Sequence, residues 1–338
     1  MPRKKKVEQP IGVGMTSHAG PVNVIINDYF APLLEGRSVN ATDLCWDIMV
    51  RTSASHFGAQ GLASYAVSAV DLALWDLKGK LLTKPVYELM GGPTAKAIHC
   101  YATTRDVEWA KELGFDAIKI ATTQGSAEPA ASIRRNVIDV ENARTIVGED
   151  LELMVDFWNI GDTQFTIELA ERLRPYRLKW VEDYSLTLDE QALTTVRCRL
   201  PWQTLASGER WYTPYPFQRA AANQVVDIFQ PDIQWVGGAT AIQKINAIAE
   251  SASISMALHR ACDDSYGQHL SYAMTNAVWG EFFLWVVRNV PLEDNGRYTP
   301  GMSLPGNGKV VPSAAPGLTL IHIYEPTRLG MQAYAVLI

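Results

Sequence analysis

Between Asp156 and His259 short apolar runs recur along the chain, and each is closed by an ionisable residue. LELMVD ends at Asp156, LKWVE at Glu182, TLASGE at Glu209, VDIFQPD at Asp232 and ISMALH at His259. The intervals are 26, 27, 23 and 27 residues, about the length that one strand, one helix and two short loops consume. Strands alternating with amphipathic helices predict a parallel sheet. In a closed parallel barrel the C-terminal end of every strand opens on a common mouth, where active sites are built. The five residues then belong to one ring.

The same pattern extends in both directions. IHCYATT (98–104) predicts a first barrel strand, followed by the helix RDVEWAKELG with Gly114 as its closing cap. DAIKIA (116–121) predicts the second, followed by a helix with Ile133, Val137, Val140 and Val147 on one face. EFFLWV (281–286) predicts the eighth. Between the central runs lie amphipathic segments such as TIELAERLRPY, stopped by Pro175, and TAIQKINAIAES, opened by Gly237 and Gly238. Upstream, Val67, Val70, Leu74, Leu77 and Leu81 recur at helical spacing. Pro85 ends that run and MGGP (90–93) forms a hinge-like turn. Earlier still the pattern weakens: VNVIIN (22–27) fits a strand or the start of a helix, and ATDLCWDIMVRT a helix capped near Thr42 or Asp43. The fold class expected is α/β, a (β/α)8 barrel with a smaller segment before it.

Composition agrees with that size. The 338 residues suit a barrel of roughly 250 residues plus an appended part, and an apolar share of 47% is enough for a large core. The net charge of −6 carries no basic block beyond PRKKK at the start, which reads as a solvated terminal run, so no nucleic-acid partner is expected. No apolar stretch of about 18 residues and no signal-like run occurs, which points to a cytoplasmic protein without a membrane partner. The scattered cysteines Cys45, Cys100, Cys198 and Cys262 read as buried thiols.

Taken singly, each acid has an ordinary explanation: Asp156 or Asp183 as a helix cap, Glu209 as an exposed loop residue. Three successive strands ending in Asp156, Glu182 and Glu209 demand more, because like charges at one mouth repel unless a cation lies between them. Oxygen ligands alone, without His or Cys, favour Mg²⁺ over zinc. One such ion leaves the three acids with a residual negative charge, and Lys119 at the end of the second strand can offset it for an anionic small-molecule substrate. A plain strand-end lysine is the alternative. On the far side, Asp232 and His259 end consecutive strands, so the carboxylate can hold one imidazole nitrogen and leave the other facing the mouth. Glu281 opens the eighth run, a place compatible with either the mouth or the barrel floor. His269, in a helical segment, could face the mouth or the surface, and the surface is the expectation.

At these residues the chain resembles the enolase superfamily, and within it the mandelate racemase group. The resemblance spans about residues 60 to 315 and rests on SAVDLALWDLKGK, PVYELMGG, GFDAIKI, MVDFW, WVED, SGE, QPDIQWVGG and ALH in that order. It implies a barrel under an α+β capping domain, with Asp156, Glu182 and Glu209 binding Mg²⁺, His259 as base, Asp232 as its partner, and Glu281 near the substrate carboxylate. Racemases of the group carry a second lysine two places beyond the first, where this chain has Ala121. One base suits β-elimination of water better than proton exchange between two faces of a carbon, so a racemase or cycloisomerase is disfavoured. WVGG, GEFFL and the single Lys119 look most like the L-rhamnonate dehydratase branch, which implies dehydration of an acid sugar to a 2-keto-3-deoxy acid through an enediolate. The resemblance divides the chain into a capping-domain remnant (1–92) lacking most of its amino-terminal sheet, the catalytic barrel (93–317), and a tail (318–338). That tail has no family counterpart and resembles translated sequencing-adapter DNA, so a non-native end is expected after about Gly317. A metal-binding but catalytically silent fragment is the competing expectation. A homo-oligomer is compatible with such barrels.

Overall fold

In the computed structural model, which describes residues 10–123, 125, 127–186, 189–284, 288–294, 302–318 and 332–337, all eight expected barrel strands form. Outside the barrel stands β1, Gly12–Ser17. The barrel consists of β2 (Ile98–Thr103), β3 (Ala117–Ala121), β4 (Glu152–Asp156), β5 (Val181–Glu182), β6 (Leu205–Ser207), β7 (Ile228–Phe229), β8 (Ser255–Met256) and β9 (Gly280–Phe283). Neighbours from β2 to β8 pair in parallel, and β9 pairs in parallel with β2. A parallel bridge from Met256 to Ala277, just before β9, closes the ring. Two short additions follow: β10 (Lys309–Val310) lies antiparallel on β2, and β11 (Gln332–Leu337) lies antiparallel on β1, from Gly12↔Leu337 to Ser17↔Gln332. The PRKKK string, Trp285 and Val286 of the eighth run, and residues 319–331 of the tail lie outside the described residues.

The strands end earlier than the apolar runs suggest. Glu209, Asp232 and His259 sit two or three residues beyond the last paired residue of β6, β7 and β8. Pro231 has no N–H to give to a ladder, and Gly208 has φ +137. Pairing resumes beyond them, since Asp232 and His259 face each other across a parallel bridge.

The helix Leu62–Leu81 holds the N-terminal region to the barrel. It packs against β1, the helix Thr42–His56 and the barrel helix Gly238–Ser251. Most of its surface is buried, as expected of a helix apolar on more than one face. Its two buried acids accept from backbone N–H groups of neighbouring elements. Asp76 accepts from Val13 N at 2.9 Å, Leu318 N at 2.7 Å and Lys80 Nζ at 2.6 Å. Asp71 accepts from Thr240 N at 2.9 Å, at the N-terminus of the barrel helix; burial pushes its carboxyl up to about 7, against the lowering effect of that hydrogen bond.

One open local reading is decided and two change. VNVIIN is helical, running from Ala19–Val24 into a π-turn stretch, Ile25–Phe30. Cys45, Cys100 and Cys262 are buried, but Cys198 is exposed near the end of the helix Glu190–Arg199. His269 is not a surface residue: it is 1% exposed on the helix Ser265–Ala273, its ring 5.3 Å from that of Tyr87 and its Nδ1 accepting from Tyr87 N at 3.4 Å. The inward face of that helix was hidden from sequence because Gln268, His269 and Ser271 break its apolar pattern.

Burial without a charged partner holds the His269 imidazole down to about 4. The unfolded chain therefore takes up a proton below pH 6.5 that the folded chain refuses until much lower pH, and stability contributed by neutral His269 is lost as pH falls through that window. His269→Gln keeps an acceptor for Tyr87 N–H and removes the titration. Urea denaturation should show wild type losing about 2 kcal/mol more than His269→Gln between pH 7 and pH 5; parallel losses in the two proteins would contradict the assignment.

Candidate active site

Tyr101, Ala117, Met154, Trp180, Ala206, Ile228 and Ala257 fill the barrel as one apolar cluster, with Trp279 packed against them. Inward positions recur at every second residue of a strand. The next inward position on each strand is therefore Thr103, Lys119, Asp156, Glu182, Gly208, Gln230, His259 and Glu281. A polar layer thus lies directly on an apolar floor, at the C-terminal ends of the strands.

Lys119 is the centre of that layer. It is 1% exposed, forms ion pairs with Glu182 and, at 2.7 Å, with Glu281, and lies 5.5 Å from the Tyr101 ring. Burial disfavours its charge, but Glu182 and Glu281 reverse that and hold its pKa well above the ordinary lysine value. Glu281 is fully buried at the mouth side of the floor, accepting from Thr103 Oγ1 at 2.5 Å and from Arg260 N at 2.9 Å. Glu182 Oε2 accepts from Gln230 Nε2 at 2.6 Å and Trp180 Nε1 at 3.2 Å. Asp156 is the direct register partner of Glu182, and its Oδ1 accepts from Trp158 N at 2.7 Å.

Across the mouth, His259 Nδ1 lies 2.7 Å from Asp232 Oδ2, and its Nε2 lies 2.8 Å from Glu209 Oε2. The Trp235 and Phe283 rings flank the imidazole at 5.2 and 5.7 Å. Burial works against an imidazolium here, yet Glu209 and Asp232 raise the His259 pKa well above its usual value. Glu209 is correspondingly lowered to about 2: burial opposes its charge, and His259 and Arg210 outweigh burial. Arg210 also reaches Asp183 at 3.0 Å.

Among the described residues this end of the barrel gathers the carboxylates Asp156, Glu182, Asp183, Glu209, Asp232 and Glu281, with Asp263 and Asp264 beside them, against the cationic groups Lys119, Arg210, Arg260 and His259. The excess is felt at Glu182, raised chiefly by burial and also by Glu281, and more clearly at Asp156 and Asp183. Burial first, and then the negative charge of Glu182, push Asp156 well above the usual carboxylate range; burial, with Glu209 and Glu182, pushes Asp183 up to about 7. An all-oxygen donor set with uncompensated negative charge is what a hard divalent cation fits. The three expected ligands leave the same rim but do not converge: Glu182 turns to Lys119, Glu209 to His259 and Arg210, and among the described residues no three acidic, His or Cys side chains meet at one point. Thr103, Gln230 and Trp235 are additions to the sequence-derived site; the only signal for the first two is their spacing, two residues beyond a floor residue.

Two family models cover most of the chain. Residues 10–91 match the mandelate racemase / muconate lactonizing enzyme N-terminal domain, and residues 102–320 match the enolase C-terminal domain-like model. The chain belongs to the mandelate racemase and muconate lactonizing enzyme group of the enolase superfamily. A relative from Saccharopolyspora erythraea named L-rhamnonate dehydratase is 36% identical over 275 residues, which are 81% of this chain and 70% of that protein. The crystal structure of L-rhamnonate dehydratase from Gibberella zeae superposes with a TM-score of 0.83 at 26% identity, covering 93% of this chain and 80% of that one. The structure of rhamnonate dehydratase from the same organism complexed with Mg gives 0.81 at 27% identity, covering 88% and 73%. These enolase-superfamily relatives share the capped-barrel architecture built up above.

Lys119→Met removes the one cation shared by Glu182 and Glu281 while retaining its bulk. Truncating one partner of a buried pair leaves uncompensated charge, so urea denaturation at neutral pH without Mg²⁺ should show a loss of about 3–5 kcal/mol. A change within experimental error would mean that the two carboxylates do not depend on Lys119.

Proposed function

We propose that this chain is a Mg²⁺-dependent dehydratase of a five- or six-carbon aldonic acid, L-rhamnonate foremost, giving the 2-keto-3-deoxy acid. The observation that carries the reading is the His259–Asp232 pair, 2.7 Å apart on the rim facing the acid-bearing strands, with Ala121 in register with Asp156 where a second base would stand. The names of the Saccharopolyspora and Gibberella relatives support the substrate class, and the Mg complex of the Gibberella enzyme supports the metal.

Asp156, Glu182 and Glu209 hold the ion in this reading. When bound, it supplies positive charge against the charge that grows on the substrate carboxylate. Asp232 accepts the Nδ1 hydrogen of His259 and fixes the tautomer in which Nε2 is the base. Nε2 takes the proton from the carbon alpha to the carboxylate. The electron pair expels the β-hydroxyl, which leaves as water with the proton returned by the same imidazole, and the enol left behind becomes the 2-keto-3-deoxy product. Lys119 lies where positive charge stabilises the developing enediolate, and Glu281 with Thr103 keeps that lysine in place. Ala121 offers no proton to the opposite face of the carbon, which favours elimination over racemisation. The capping portion (1–92) covers the catalytic barrel (93–317) in this reading, and the tail after about Gly317 takes no part in the chemistry.

Incubation with Mg²⁺ and a panel of aldonic acids should yield 2-keto-3-deoxy acid, and His259→Ala should lower kcat by roughly 10²–10⁴-fold, the usual share of a general base. Turnover undiminished in that variant would remove His259 from the mechanism. Turnover in the presence of a chelator would remove the metal.

Binding of the ion has a readout of its own. Mg²⁺ should raise the thermal midpoint of the wild-type protein, because a ligand bound only by the folded state stabilises it, and Asp156→Asn should abolish the rise. An equal rise in both proteins would place the ion elsewhere.

A further inference from the structure

The turn that carries Asp232 is held from behind by the N-terminal region. Gln234 N donates to Asp232 Oδ1 at 2.7 Å, so the dyad carboxylate is fixed through one oxygen by the turn and through the other by His259. The carbonyl of the same residue, Gln234, accepts from the hydroxyl of Thr16 on β1 at 2.6 Å. Next in line, the Trp235 carbonyl accepts from Ser64 Oγ at 2.5 Å, and its indole N–H reaches Ser17 Oγ at 3.2 Å. That indole is the ring packed 5.2 Å from the His259 imidazole. Beyond it, Gly237 N donates to Ser68 Oγ at 2.8 Å, and Trp46 Nε1 donates to the Gly237 carbonyl at 2.9 Å.

We propose that Thr16, assisted by Ser64, is a positioning residue for the His259–Asp232 dyad, so that the N-terminal region sets the geometry of the base as well as covering the mouth. Thr16 is fully buried, and its hydroxyl reaches across to a segment more than two hundred residues away in sequence. It touches neither the imidazole nor the place where substrate would lie, and acts through the Gln234 peptide. The Gln234 carbonyl and N–H belong to adjacent peptide planes joined at one Cα. With Trp235 N and Val236 N bonded to the Asp232 carbonyl at 3.0 and 2.9 Å, a hydroxyl that holds the Gln234 carbonyl restricts the remaining rotation of the turn that aims the N–H at Asp232. Loss of that hydrogen bond frees the carboxylate to rotate and the imidazole to follow it. The proposal rests on the dehydratase reading for its kinetic consequence but not for its geometric one.

Thr16→Val keeps the shape of the side chain and removes the hydroxyl; Thr16→Ser keeps the hydroxyl. With an aldonic acid that the wild type turns over, Thr16→Val should lower kcat roughly 10- to 100-fold, the scale on which a small misplacement of a catalytic group is felt. KM should stay within about twofold and Thr16→Ser should restore kcat. Equal kcat in wild type and Thr16→Val, or a loss that Thr16→Ser does not restore, would overturn the proposal. The geometric arm needs no turnover: the imidazole Nδ1 hydrogen held by Asp232 should give a low-field proton resonance in the wild type, assigned by its absence in His259→Gln. That resonance should broaden or shift upfield in Thr16→Val and persist in Thr16→Ser. An unchanged resonance in Thr16→Val contradicts the proposal, whereas a wild type showing the resonance without any aldonate turnover refutes the dehydratase reading alone.

Discussion

Too many negative charges share too little water at the C-terminal end of this barrel. Asp156, Glu182 and Glu281 are drawn toward one mouth by the alternation of the strands, with Glu209 one residue beyond the inward Gly208, above a largely apolar floor of Tyr101, Met154, Trp180 and Ile228 from which the Trp180 indole donates to Glu182. Carboxylates in such a place must be protonated, paired or bound to a cation. The chain does some of each: Lys119 pairs with Glu182 and Glu281, His259 and Arg210 take Glu209, and Asp156 is driven toward its neutral form. The arrangement is a compromise among internal partners, and a divalent ion held by Asp156, Glu182 and Glu209 would supply the positive charge that this cluster lacks.

Those same pairings tie the two halves of the site together. Glu209 contacts the imidazole directly, and it is the strongest of the charges that raise the His259 pKa against burial. The acid-bearing rim and the His259–Asp232 pair therefore meet at one shared carboxylate. Support for the base comes from a different direction. The buried helix Leu62–Leu81 and β1 present Ser64, Ser68, Asp71 and Thr16 to the turn and helix start that follow Asp232. The N-terminal region, whose apolar pattern is weak, is joined to the barrel along this polar seam.

Much of this was legible before any coordinates, for a physical reason: short apolar runs closed by ionisable residues at a steady interval leave few arrangements other than a parallel barrel. The residues Lys119, Asp156, Glu182, Asp232, His259 and Glu281 all lie at that barrel's mouth, and Glu209 follows Gly208 onto the same rim. Glu281, whose place in its run left two options, is at the mouth because it is the next inward position after Trp279. The rest depends on side-chain direction, which periodicity does not encode. Nothing in the string SGER shows that Glu209 turns to His259, or that Arg210 spans Glu209 and Asp183. Gln230 and Thr103 are neutral and common residue types, so only the floor residues two places before them mark them out. His269 was misplaced because its helix is buried through polar side chains, against the usual correlation of polarity with exposure.

The central claim is that Asp156, Glu182 and Glu209 share one divalent ion at this mouth. Diffraction from crystals grown with Mn²⁺ in place of Mg²⁺, recorded at the manganese absorption edge, tests it most directly. The account predicts a single anomalous peak bounded by those three carboxylates, with the Lys119–Glu182 and His259–Glu209 contacts lengthened. A peak elsewhere, or three carboxylates still turned to Lys119, His259 and Arg210 at saturating metal, would contradict it.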